Sequence, residues 1–182
     1  MADNLTLLQG ARRFDMGALA EIYDTFSPAI YRYAMRLLGD TDVAEECVAE
    51  TFSRFLMALK NGKGPREHLQ AYLYRIAHNW ITDVYRRKPP PSIPLNTEIP
   101  SESEIEPPNL LTQELKRQSV RDALALLTPD QRQVIVLKYL EGMDHSEIAM
   151  VINKPVGAVK AIQHRGMQAL RRLLCSEEGD YS

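Results

Sequence analysis

Three groups of side chains have types and spacings that could do chemistry. Between Lys154 and Arg172 stand five basic residues, Lys154, Lys160, Arg165, Arg171 and Arg172, and no acid, although the formal net charge of the chain is -2. Cations gathered on one segment of a slightly acidic protein suit phosphates, and His164 and Gln168 among them add groups able to meet base edges. A second group, Tyr74, Arg75, His78, Asn79, Arg86 and Arg87, mixes rings, an amide and cations. Bases stack on rings while edges and phosphates take donors, so this mixture suits unpaired nucleic acid, though aromatics at this spacing also serve as core. The third group is acidic: Asp42, Glu45, Glu46 and Glu50. All three groups are of types that serve recognition, the last two equally explained by structure, and no nucleophile, base and oxyanion set or phosphate loop points to an enzyme. His68, His78, His145 and His164 show no ligand spacing, and Cys47 and Cys175 lie far apart. Neither a metal nor another cofactor is expected, and the thiols are expected to be reduced.

The basic group falls in a run of capped helices. Thr128-Pro129-Asp130-Gln131 offers an N-cap hydroxyl, a proline at the first helical position and a Gln three residues after the cap, opening a helix that Gly142 can close. Asp144 and Glu147 repeat the device for a short helix with Ile148, Ala149 and Ile152. Asn153-Lys154-Pro155 then forces a tight turn in which Asn tolerates a left-handed backbone. In the long helix beyond, Val159, Ile162, Met167, Leu170, Leu173 and Leu174 recur at helical spacing, and Lys160, Ala161, His164, Arg165, Gln168, Arg171 and Arg172 fall opposite. Short helix, sharp turn and long basic helix predict a helix-turn-helix, whose second helix lies in the major groove. A hairpin with a solvated basic face would explain the charge but not the paired caps and turn.

The other two groups belong to an earlier helical segment. Phe14, Leu19, Ile22, Tyr23, Phe26, Ile30, Tyr33, Ala34, Leu37 and Leu38 recur at threes and fours, predicting a helix pair or one helix bent at Ser27-Pro28 and ended by Gly39. Asp40-Thr41 caps the next helix, with Ala44, Cys47, Val48, Thr51, Phe52, Phe55, Leu56 and Leu59 as its stripe. Its acids suit the positive end of a helix dipole and equally a docking face; charge alone leaves both readings open. A basic Gly/Pro loop from Lys60 to Arg66, with Lys63 at its centre, precedes a helix over residues 69–87. Leu69, Leu73, Ile76, Ala77, Trp80, Ile81 and Val84 form its core stripe, which places Tyr74, Arg75, His78, Asn79, Arg86 and Arg87 outward.

Pro89-Pro90-Pro91 stops that helix, and the stretch to Pro108 is rich in Pro, Ser and Glu without periodicity. The expected architecture is therefore all-α, with a helical domain over residues 1–88, a flexible acidic linker over 89–111, a helix-turn-helix domain over 112–176 and a disordered tail over 177–182. At about 3.1 Å per residue, some 20 linker residues would reach roughly 60 Å, on the order of 18 base pairs. With no signal segment and no apolar run approaching the roughly 20 residues of a membrane span, a cytoplasmic protein without membrane contact is expected.

Asp42-Val43-Ala44-Glu45-Glu46 with Glu50-Thr51-Phe52, and Ala71-Tyr72-Leu73-Tyr74-Arg75-Ile76-Ala77-His78-Asn79 with Asp83 and Arg86-Arg87, resemble region 2 of the sigma-70 family. Leu127 to Arg132, Glu147-Ile148-Ala149 and Gly157 to Arg165 resemble region 4. The presence of these two regions alone resembles the extracytoplasmic-function sigma factors. That resemblance implies an alternative sigma factor that binds core RNA polymerase through its largest-subunit coiled coil and its flap, directs it to promoters and assists their opening. It implies polymerase docking by Asp42, Glu45, Glu46, Glu50 and Phe52. It implies capture of single-stranded −10 bases by Lys60, Lys63, Arg66, Tyr74, Arg75, His78, Asn79, Arg86 and Arg87. Reading of the double-stranded −35 element would fall to Lys154, Gly157, Ala158, Lys160, Ala161, His164, Arg165, Gln168, Arg171 and Arg172. An anti-sigma factor is the implied inhibitor.

The chain departs from the family pattern at Cys47 and Ala49 in the docking helix, and at Lys154 and Ala158 in the helix-turn-helix. Ala158 lacks the hydroxyl that a common Thr would offer a phosphate. Two other readings are a stand-alone helix-turn-helix regulator, which would not need the first domain, and a sigma-like interaction protein that starts no transcription.

Overall fold

The computed structural model describes residues 3–87 and 110–177, and among these every regular element is helical. Residues 89–109 of the expected linker and 178–182 of the expected tail lie outside the described residues. Helix α5 starts at Leu110, inside the stretch read as linker, and α8 runs to Glu177.

Four helices make the N-terminal half: α1 (Asn4–Arg12), α2 (Met16–Leu38), α3 (Thr41–Lys60) and α4 (Leu69–Arg87). Helix α1 escaped the sequence reading, yet it buries Leu7, Leu8 and Ala11. The chain breaks before α2, not at Ser27-Pro28. Phe14 is left-handed (φ 57), and the Asp15 carboxylate accepts from the Ala18 N–H at 2.8 Å. Helix α2 then continues through Pro28, whose side chain is exposed. A proline inside a helix forfeits one hydrogen bond. Here the burial of Ile22, Phe26, Ile30, Tyr33, Ala34 and Leu37 along one face holds the helix across it. Gly39 ends α2 in a left-handed conformation (φ 67) that a Cβ would strain. Asp40, rather than Thr41, caps α3 by accepting from Val43 N at 3.0 Å.

The C-terminal half contains α5 (Leu110–Ala125), α6 (Pro129–Ile135), a π-helical turn over Val136–Leu140, α7 (His145–Ile152) and α8 (Val156–Glu177). Both expected capping boxes form. Gln131 N donates to Thr128 Oγ1 at 3.3 Å while Thr128 N donates to Gln131 Oε1 at 3.4 Å; Asp144 and Glu147 reciprocate at 2.8 Å each way. Asn153 is left-handed (φ 53, ψ 49) as the turn required. Arg132 closes the end of α5 by donating to the carbonyls of Leu124, Ala125 and Leu127. Helix α8 crosses α6 closely at Gly166. A Cβ there would stand 3.1 Å from Ile135 Cγ1.

The halves are packed together, α7 lying against α4, and their buried residues form one contiguous apolar cluster from Leu7 to Ile162.

Candidate nucleic-acid and polymerase interfaces

Helix α8 presents the cation row as its pattern predicts. Val159 and Ile162 turn into the core, leaving Lys160, Ala161, His164, Arg165, Gln168, Arg171 and Arg172 exposed, with Gly157 exposed and Ala158 half-buried at the start. The helix is fixed to its neighbours at its third turn. Gln163 donates to the Tyr139 hydroxyl at 2.8 Å and meets His145 Nε2 at 2.5 Å, tying α8 to the π turn and to the start of α7. Lys154, in the sharp turn, pairs with Asp130 at 3.2 Å. Exposed pairs of this kind are worth little in water, so this one can be exchanged for a phosphate.

The acidic face of α3 is also open. Asp42, Glu45 and Glu46 are exposed, and Glu50 accepts from Arg54 at 2.6 Å on the same surface. Phe52, grouped with them from the resemblance, is instead buried (7% exposed), its ring edge-on to Tyr23 at 4.8 Å. It supports the acidic face from beneath. Helix α3 also carries Cys47 inward, where burial pushes its thiol up to about 12; that sulfur is not a ready nucleophile.

The −10 group divides. Lys60, Lys63, Arg66, Arg75, Asn79, Arg86 and Arg87 are exposed. The basic loop is held from behind by Arg12, which donates to the carbonyls of Gly64 (3.3 Å) and Pro65 (3.1 Å). Tyr74 and His78, placed outward by periodicity, are buried at 0% and 9% exposure. The reasons are tertiary: the Tyr74 ring packs against Tyr33 of α2, ring centroids 5.2 Å apart, and the C-terminal half lies against α4 through α7. The Tyr74 hydroxyl donates to Glu141 Oε2 at 2.6 Å, and Arg36 of α2 pairs with Glu141 Oε1 at 2.6 Å. Burial lowers the His78 pKa to about 4; nearby Asp130 partly offsets this and Lys154 adds to it. Its Nδ1 is buried without a hydrogen-bond partner. Tyr85, in the last turn of α4, donates to the Leu37 carbonyl.

Sequence reasoning missed Glu141, Arg36, Arg12 and Gly166. A single Glu between a Leu and a Gly carries no periodic signal, and Arg36 and Arg12 read as ordinary solvated cations. Gly166 inside a helical pattern was the one visible hint, since such a residue usually has a packing reason.

Comparison with known proteins decides the family. The model of sigma-70 region 2 matches residues 22–89 and that of sigma-70 region 4 matches residues 117–170, in that order and together over about two thirds of the chain. The chain belongs to the sigma-70 family. It is similar to the extracytoplasmic-function sigma factor SigW of Bacillus subtilis, 29% identical over 178 residues covering 92% of this chain and 94% of that one. It is also similar to BldN of Streptomyces coelicolor, 28% identical over 172 residues; this match covers 93% of the present chain and 65% of BldN. The fold is shared with CnrH, solved in complex with the cytosolic domain of CnrY, at a TM-score of 0.72, 23% identity and coverage of 95% and 97% of the two chains. It is shared too with the sigma factor RpoE of Bartonella quintana in complex with the anti-sigma factor NepR, at a TM-score of 0.65 and 21% identity, covering 85% and 95%. This is an extracytoplasmic-function sigma factor, an alternative sigma factor that binds core RNA polymerase and promoter DNA in transcription initiation. Among the described residues no helix is long and apolar enough to cross a membrane.

Proposed function

We propose that the helical unit of residues 1–88 docks the polymerase and reads the −10 element, and that the unit of residues 112–176 reads the −35 element, with residues 89–111 between them. The acidic face of Asp42, Glu45, Glu46 and Glu50 meets a basic coiled coil of the polymerase's largest subunit, where charge complementarity sets orientation. The C-terminal unit meets the flap. The basic loop and the side of α4 bearing Tyr74, Arg75, His78 and Asn79 hold unpaired −10 bases, and α8 enters the major groove at −35. An anti-sigma factor holds the protein inactive, the kind of partner named for the Bartonella RpoE structure. The protein acts in the cytoplasm and supplies recognition, leaving the chemistry of RNA synthesis to the polymerase.

The observation that carries this reading is the exposed cation row of α8 on a helix-turn-helix, in one chain with the exposed acidic face of α3. Transcription in vitro tests it. Purified core polymerase plus this chain is expected to make RNA from promoters recovered by crosslinking the pair to the genome, and core alone is not. Footprinting by the chain alone with no RNA would make it a stand-alone regulator. Polymerase binding without RNA would make it a sigma-like interaction protein.

A further inference from the structure

Nothing in the sequence singles out Tyr139, yet the fold carries it to the edge of α8. On α6, Gln131 and Ile135 line the crossing at Gly166, where an added Cβ would stand 3.4 Å and 3.1 Å from their side chains. Tyr139, four residues further on in the π turn, continues that row and meets α8 about one turn nearer its start, at Gln163. Its side chain is 52% exposed, and its hydroxyl accepts from Gln163 Nε2 at 2.8 Å. The same amide turns its oxygen to His145 Nε2 at 2.5 Å. A carbonyl oxygen only accepts, so His145 donates here and carries a proton on Nε2. Every bond in the row then has a fixed sense: His145 gives to Gln163, and Gln163 gives to Tyr139. The Tyr139 proton is left over, since a phenol that accepts one bond still holds one donor. Among the described residues no second group bonds that hydroxyl.

What such a donor meets follows from where it stands. Lys160 lies one turn before Gln163 and His164 directly follows it, both exposed. A helix laid in the major groove sets its inward groups against base edges and its flanks against the sugar-phosphate walls. Gln163, half-buried between the core residue Ile162 and the exposed His164, marks such a flank together with the hydroxyl it holds. The carboxylates at the start of α7, Asp144 and Glu147, accept from each other's backbone N–H groups, which tempers their charge toward an incoming anion. We propose that Tyr139 binds a phosphate of the −35 duplex, and that Gln163 and His145 are positioning residues that keep its hydroxyl free to donate. This rests on the reading of α8 as the −35 helix. The contact is a neutral hydrogen bond, so it fixes register without choosing a base and without displacing a counterion.

The test uses the full chain in holoenzyme with core polymerase, on promoter DNA carrying one uncharged methylphosphonate linkage at a time around the −35 element. Tyr139→Phe is expected to weaken binding of unmodified DNA about tenfold, a hydrogen bond to a charged group being lost. Base preference and salt slope should both stay as they are. At one linkage the loss from methylphosphonate and the loss from Tyr139→Phe should fail to add, which a merely loosened fold would not produce. Gln163→Met is expected to weaken binding severalfold alone and to add nothing to Tyr139→Phe. No loss from Tyr139→Phe, or a loss that adds to the methylphosphonate loss at every linkage, would overturn the phosphate contact; additive losses from Gln163→Met and Tyr139→Phe would overturn the positioning role. Lys160→Ala separates the two levels of the argument. If it impairs −35 binding while Tyr139→Phe does not, this inference alone falls; if neither does, the reading of α8 falls with it.

Discussion

The two surfaces proposed to meet DNA are built on helices of similar length and differ in exposure. Along α8 the cations from Lys160 to Arg172 stand in solvent, and the helix is held by apolar contacts on its far side. Along α4 the cations Arg75, Arg86 and Arg87 are likewise exposed, but the ring of Tyr74 and the imidazole of His78 on the same helix are buried. A double helix can be read by groups that wait in water, since phosphate attraction loses little by hydration beforehand. Unpaired bases are held by stacking on apolar faces. Such faces, left open, are surfaces that other apolar partners also seek, and folding them inward protects them until they are needed.

If both surfaces depend on the polymerase to bring them to DNA, losing the docking face should silence them together. Glu46→Lys with Glu50→Lys is expected to abolish co-purification with core polymerase, a loss of at least a hundredfold, with the helical content unchanged in circular dichroism. Exposed charges rarely decide stability but do decide docking. Retained polymerase binding by the folded double variant would separate the acidic face from docking altogether.

A smaller effect should divide α8 along its own length. Ala at Lys160 or His164, close to the start of the helix, is expected to cost on the order of 1–3 kcal/mol on the preferred −35 sequence and to relax choice at one base pair. Ala at Arg171 should weaken all sequences alike and reduce the salt slope by roughly one. Selection of −35 variants by each mutant holoenzyme distinguishes them, and altered base preference from the Arg171 variant alone would mean that the helix sits in another register.

The stored surface should respond to pH where the open one does not. Covered, His78 titrates at about 4, lowered first by burial; the charged groups facing it are Asp130 at the start of α6 and Lys154 in the turn after α7. Uncovered, it returns toward the ordinary histidine value of about 6.5. A pKa depressed in the covered form means that covering is favoured above the ordinary value and loses ground as pH falls through it toward 4. At about pH 5.5 the open arrangement should gain on the order of tenfold relative to pH 7.5, read as a longer distance between the halves. His78→Asn should flatten that response, and a shift of equal size in this variant would assign it elsewhere.

The smallest change concerns how firmly α8 is presented. Thr128→Ala removes one arm of a capping box and is expected to cost about 1 kcal/mol of stability, seen as a lower denaturant midpoint with base preference intact. A changed −35 preference would show that the cap steers recognition as well as folding.

Much of this was legible in the chain, for local reasons. Capping boxes, the Asn153 turn and the α8 stripe depend on neighbours within four residues, and each formed where its spacing predicted. The break lies before α2 and not at Ser27-Pro28, because a proline in sequence suggests a bend that burial along one face overrides, while the left-handed Phe14 carries no local signal. Tyr74 and His78 were assigned outward because a 3.6-residue period knows only the near core. Tyr33, about forty residues before Tyr74, and Glu141, about seventy after it, both meet that side chain, and no local pattern encodes either approach.

Arg12, at the end of the first helix, grips two carbonyls of the basic loop more than fifty residues downstream. A loop borrowed from a relative and inserted between Lys60 and Arg66 would keep its own side chains but inherit a foreign clamp, and its backbone would settle along a different path. The transplantable unit is thus a loop together with a distant arginine, and promoter preferences rebuilt by grafting should be faithful only when the two travel as a pair.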